Sequence, residues 1–148
     1  IYRYRGDLNE ALKTAQEAVR LQDPGSVEAG SSQATNFIAA LMEEGWVLGE
    51  DNAISLGRSV EAVASLERAF RIADDLAHKD PNDQIFREQL ALAGGSMADV
   101  LRHSDPRRAL AVYDHALRHM AEISNTQTRD VWLLAGSSYA LRQLCRPD

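Results

Sequence analysis

The sequence repeats itself, and a chain that repeats a helical unit has few ways to bury its apolar residues other than stacking the copies side by side. At a shift of 51, Gly6, Glu10, Ala11, Leu12 and Ala18 fall on Gly57, Glu61, Ala62, Val63 and Ala69. A further shift of 47 carries Ala62, Leu66 and Ala69 onto Ala109, Tyr113 and Ala116. The intervening segments match too, since Arg87-Glu88-Gln89-Leu90-Ala91-Leu92-Ala93-Gly94 falls on Arg129-Asp130-Val131-Trp132-Leu133-Leu134-Ala135-Gly136 at a shift of 42. Every second helix is therefore a copy of the same helix, and the chain reads as an A-B-A-B-A array.

Within each unit the apolar residues recur at helical spacing, and no stretch alternates with a period of two, so the expected fold class is all-α. The first repeat contributes only its second helix, about 7–22, ended by Asp23-Pro24-Gly25. The second repeat spans about 32–79, with Gly49 as a plausible stop inside it and a loop through Glu50-Asp51-Asn52. The third covers about 82–123. It opens where Asp80-Pro81 breaks the preceding helix and Asn82 caps the next, whose stripe is Ile85, Phe86, Leu90, Ala93, Met97, Val100 and Leu101. Ser104-Asp105-Pro106 punctuates the hairpin, and the stripe from Ala109 through Met120 runs on to Ile123. After Ser124-Asn125-Thr126, the first helix of a fourth repeat is expected over about 127–145, through Val131, Leu134, Ala135, Tyr139 and Leu141. The chain would then hold two complete repeats with half a repeat at each end. It opens on Ile1 and closes on Arg146-Pro147-Asp148 within a helical pattern, as a piece of a longer protein would.

The small residues explain how the helices approach. Ala11/Ala18, Ala62/Ala69 and Ala109/Ala116 are each seven apart, two turns along one face, where a larger side chain would force a helix pair apart. Gly6 and Gly57, with Ser104 in the third copy, lie five residues before the first alanine, at the turn between the two helices, where glycine easily tolerates a positive φ.

Composition removes several alternatives. At 6% aromatic residues the chain is poorly suited to a sandwich or barrel, and 45% hydrophobic with 26% charged residues is the make-up of an ordered globular chain. A net charge of −6 removes the electrostatic ground for binding nucleic acid or an anionic membrane. The longest apolar run, Phe37 to Met42, is far too short to cross a bilayer, so no membrane insertion is expected. The lone cysteine, Cys145, can form no internal disulfide. It reads as a small buried residue in the parent protein, exposed where the repeat is cut.

The pattern of Gly57, Ala62 and Ala69 with bulky Leu66 between them, and of Ala109 and Ala116 with Tyr113, resembles the second helix of the tetratricopeptide repeat. Gly45 and Ala98 match the small position where the two helices of such a repeat cross. The period of 47 to 51 is longer than the family's 34, and five residues are inserted between Gly45 and Ala62. Over about 41–145 a closer similarity appears. Gly45-Trp46-Val47-Leu48-Gly49, Leu56-Gly57-Arg58, Ala69-Phe70-Arg71-Ile72-Ala73, Asp80-Pro81-Asn82 and Arg87-Glu88-Gln89-Leu90-Ala91 resemble the long-helix tetratricopeptide region that follows bacterial, acidobacterial-type serine/threonine protein kinase domains. The resemblance implies a right-handed superhelix of antiparallel helix hairpins whose first helices line a groove for a protein or peptide. No Gly-rich phosphate loop, His-Arg-Asp loop or Asp-Phe-Gly occurs in the sequence, so the chain is not expected to be an enzyme itself.

By register with Gly45 and Ala98, the groove residues are expected to be Met42, Trp46, Asp99 and Arg102, an apolar anchor beside a charged pair. The plainer account makes Trp46 core under the inserted loop. Arg87 and Arg129 recur near helix starts, as a structural ion pair or as ligand contacts. His115 and His119, four apart, can share one metal ion, but they fall opposite the apolar stripe and no third ligand has suggestive spacing. Gly94-Gly95-Ser96 lacks the lysine of a phosphate loop and reads as close helix packing. The expected function is non-catalytic protein or peptide recognition without cofactor or metal, in the cytoplasm. Self-association into homo-oligomers is the alternative, and a metal or hydrolytic site at His115 and His119 is a weaker one.

Overall fold

The computed structural model describes residues 6–23, 25, 31–51, 53–120 and 127–145. Ile1, Pro24, Asn52, Ile123, the Ser124-Asn125-Thr126 break, the terminal Arg146-Pro147-Asp148 and the side chains of Met120, Arg129 and Val131 lie outside that description. The described residues form six helices and no strand: α1 (Leu8–Gln22), α2 (Ser31–Gly49), α3 (Ser59–Lys79), α4 (Gln84–Leu101), α5 (Pro106–Met120) and α6 (Gln127–Leu144). Each helix packs chiefly on its neighbours in sequence, and α2 also touches α4 as α4 touches α6. Closely packed neighbours joined by short connections are helix hairpins. The fold is thus an all-α array of stacked hairpins in which the first helices of successive repeats share a layer.

Local chemistry sets the helix ends. Gly6 and Gly57 adopt φ of +83° and +68°, and a Cβ on either would meet nothing within 4 Å, so the backbone conformation alone selects glycine there. Asp83, not Asn82, caps α4: its side chain accepts from the Ile85 amide at 2.8 Å, while the Asn82 amide is taken up by Asp80 at 3.1 Å. Asp105 accepts from the Arg108 amide at 3.1 Å, ahead of Pro106 at the first position of α5. Gly49 ends α2 for a different reason from a left-handed cap. A Cβ there would lie 2.8 Å from the Cβ of Ala62, so the helix stops where α3 must pass close by.

The core is a single cluster along the stack. Ala62, Ala69, Ala98, Ala109 and Ala116 are fully buried, Ala11 is buried, and Ala18 is half-buried. Gly45 lies against Leu66, whose Cγ would stand 2.5 Å from an added Cβ. The shift of 42 has a direct structural counterpart. Gly94 faces Phe70 from α3 and Gly136 faces Tyr113 from α5, each receiving an aromatic ring from the preceding helix. Gly94, Gly95 and Ser96 are all buried inside α4, where their small size admits neighbouring helices. Four residues of the expected stripes are not core: Ile85 is 57% exposed, Leu134 53% and Leu141 51%, and Ala135 is exposed as well.

The insertion between α2 and α3 is a folded connection. Its Leu56 and Arg58 amides donate to the Val47 and Leu48 carbonyls at 2.9 and 2.7 Å, satisfying acceptors that the end of α2 would otherwise leave open. The Ser55 hydroxyl donates to the Glu50 carbonyl at 3.1 Å. The loop therefore runs back along the end of α2 and lies beside the last turn of α4.

Candidate functional site

The four residues assigned to a groove by register do not share an open surface. Met42 is 3% exposed and Asp99 7%, so both belong to the interior. A register argument fixes the face of a helix, and here that face is covered by the neighbouring helix. Trp46 is half-buried against the core, and its Nε1–H donates to Ser96 Oγ at 2.9 Å, tying α2 to α4. Tryptophan here braces the first-helix layer.

Asp99 and Arg102 are the centre of a polar network at the end of α4. Arg102 Nη1 donates to Asp99 Oδ1 at 3.1 Å, its Nη2 donates to Asp51 in the inserted loop, and the Tyr113 hydroxyl from α5 donates to Asp99. His103 Nε2 lies 2.9 Å from Asp51 Oδ1, the Tyr139 hydroxyl of α6 lies 3.4 Å from His103 Nδ1, and the Arg102 guanidinium sits 4.7 Å above the Tyr139 ring. Four parts of the chain, the inserted loop, α4, α5 and α6, are joined in one cluster.

Its electrostatics are self-consistent. Burial opposes the Asp51 charge, but hydrogen bonds from His103 and Arg102 outweigh it and hold that carboxyl below the usual carboxylate range. Burial also opposes the Arg102 charge, and the Asp51 hydrogen bond together with the Asp99 charge overcomes it, raising the guanidinium above its ordinary value. Burial, then the hydrogen bond to Asp99 and that carboxylate's charge, push the Tyr113 hydroxyl far upward, which keeps it a donor. A cluster so committed to its own partners acts as a clamp on the array, and Asp51 and His103 line one wall of a cavity of about 480 Å³ beside Ile54 and Val100.

A second, smaller depression lies between first helices. Ser32, Thr35 and Asn36 from the start of α2 and Asp83, Ile85 and Phe86 from the start of α4 enclose about 240 Å³. Sequence reasoning placed Ile85 in the core, and its exposure in this cleft is what the helical stripe could not reveal. The signal for it was position: it follows the Asp83 cap directly, before the helix has met its neighbour.

His115 and His119 are not on an open face. They are half-buried between α5 and α3, where His115 Nε2 lies 2.9 Å from Asp74 Oδ1. A stripe drawn for one hairpin says nothing of the next, and α3 from the preceding repeat covers this side. Arg87 donates to the Pro81 carbonyl, which braces the turn into α4, and Cys145 is exposed. No helix among the described residues is long and apolar enough to cross a membrane. No protein-family model, curated protein or solved structure matches the chain.

Proposed function

We propose that this chain is a non-catalytic recognition array of tetratricopeptide type that binds an extended peptide carrying an apolar anchor and basic flanking residues. The observation that carries the reading is the cleft between the starts of α2 and α4, formed by the first helices of successive repeats, with Ile85 exposed at its wall. Apolar contact with Ile85 and Phe86 provides the anchor, and polar groups of Ser32, Thr35 and Asn36 surround it. The net charge of −6 favours a cationic partner. The similarity of about residues 41–145 to kinase-associated repeats supports a place in a larger cytoplasmic signalling protein, where the array recruits substrates or regulators.

Selection of a phage-displayed random peptide library against the chain tests this. Enriched peptides should share an apolar residue flanked by Lys or Arg, and Ile85→Asp should weaken them at least about tenfold, the loss of a single buried anchor. Failure to enrich, or equal binding to Ile85→Asp, removes the proposal.

A second reading, self-association, is favoured by one observation. Leu134, Leu141 and Leu144 are exposed along α6 at 53%, 51% and 39%, and two of them are seven apart on one face. Sedimentation equilibrium over a wide concentration range should then show a mass above the monomer that returns to it in Leu134→Glu/Leu141→Glu. A monomer at every concentration excludes this reading.

A further inference from the structure

We propose that Asp74, His78 and His119 bind one divalent transition-metal ion of the zinc class between α3 and α5. Asp74 and His78 are four apart on α3, His115 and His119 four apart on α5, so each helix presents two donors one turn apart on one side. A ligand atom from Asp74, one from His78 and one from His119 all lie within 4.8 Å of one another, close enough for a single ion to reach all three after small side-chain rotations. The residues belong to different repeats, and the ion would cross-link them.

The donor set decides the class of ion. Two imidazoles and one carboxylate suit zinc and its first-row neighbours, whereas calcium and magnesium call for oxygen ligands throughout. The rings are already arranged for the task. His78 Nδ1 lies 2.8 Å from the Asp74 carbonyl oxygen and 3.3 Å from Asp74 Oδ1, so the ring already stands beside the carboxylate, and a rotation of this exposed side chain turns a ring nitrogen to the ion. The His78 and His119 rings stand 5.7 Å apart, centre to centre, and the His119 and His115 rings 4.9 Å. His115 Nε2 at 2.9 Å from Asp74 Oδ1 orients the carboxylate, the supporting part that a carboxylate ligand needs. Phe70, edge-on to His115 at 5.4 Å, closes the inner side, and His78, 63% exposed, leaves the outer side open for entry and for a water in the fourth position.

The proposal is independent of peptide recognition at the α2/α4 cleft. Its test is calorimetric titration of the chelator-stripped full chain with zinc chloride in a non-coordinating buffer, with cobalt(II) absorbance as a second readout. The expected result is one ion per chain and visible cobalt bands of four-coordinate intensity. His78→Ala, at an exposed position, leaves the fold intact by circular dichroism but abolishes the bands, as does His119→Ala. His115→Ala, acting as a positioning change, weakens binding by about 10- to 100-fold while one ion still binds. His103→Ala, at the distant cluster with Asp51, binds as the parent does. Zinc should also raise the thermal midpoint of the parent and not of His78→Ala, because an ion bound only by the folded chain stabilises it. Absent or non-stoichiometric binding, or one-to-one binding that survives His78→Ala/His119→Ala, overturns the proposal.

Discussion

Replacing Asp99 by Ala is expected to destabilise the protein by about 3 kcal/mol in urea or guanidinium unfolding, the cost of leaving a buried hydroxyl without its acceptor and a buried guanidinium with one carboxylate, that of Asp51, where it had two. Two groups lose a partner at once. The Arg102 guanidinium, with only 13% of its side chain exposed, loses its Asp99 partner, and the Tyr113 hydroxyl, fully buried, loses its acceptor. Asp99→Asn retains an oxygen for Tyr113 and the shape of the site, and removes only the charge, so it should cost less than half as much. The contrast with Arg58 and Glu61 is informative. They also pair three residues apart, but both lie in solvent, and Glu61→Gln should leave the unfolding midpoint unchanged. If Asp99→Ala were as mild as Glu61→Gln, the network would not be the clamp that holds the inserted loop and α6 to the end of α4.

The helices and their hairpin order were legible in the sequence because they depend on spacing within one segment. Alanines seven apart, prolines after aspartates and, in two of the three copies, a glycine five residues before the first alanine specify local geometry wherever they occur. The side-chain pairs that make up the sites were not legible, because each joins residues about one repeat apart: Trp46 with Ser96, Asp51 with Arg102, Asp74 with His115. The register that aligns the repeats is not the register at which their side chains meet. Alignment by the alanines uses a shift of 47, whereas Asp74 and His78 meet His115 and His119 at a shift of 41. That second shift was visible as two pairs with the same four-residue spacing, but nothing in the sequence says that neighbouring helices slide along each other by that amount. Asp99 shows the other side of the same difficulty. A charged residue near a helix end reads as surface until Tyr113 and Arg102 are seen to enclose it.

Gly136→Ala is expected to destabilise the fold by about 3 kcal/mol through overpacking, against a gain of about 1 kcal/mol that alanine gives over glycine inside an ordinary helix. The sign reverses because of what lies opposite. An added Cβ would stand 2.5 Å from Tyr113 Cζ and its hydroxyl oxygen, so either α6 lifts from α5 or the ring swings and gives up its bond to Asp99. Tyr113 has little room to swing, since it is fully buried and already committed to that carboxylate. A double-mutant cycle with Tyr113→Leu isolates the effect, because leucine has no atoms where Cζ and the hydroxyl stand. In that background Gly136→Ala should become neutral or favourable, a coupling of about 2–3 kcal/mol between residues in contact. A Gly136→Ala variant that is as stable as the parent would mean that α6 does not approach α5 this closely. The cluster at the end of α4 would then hold α6 through Tyr139 alone.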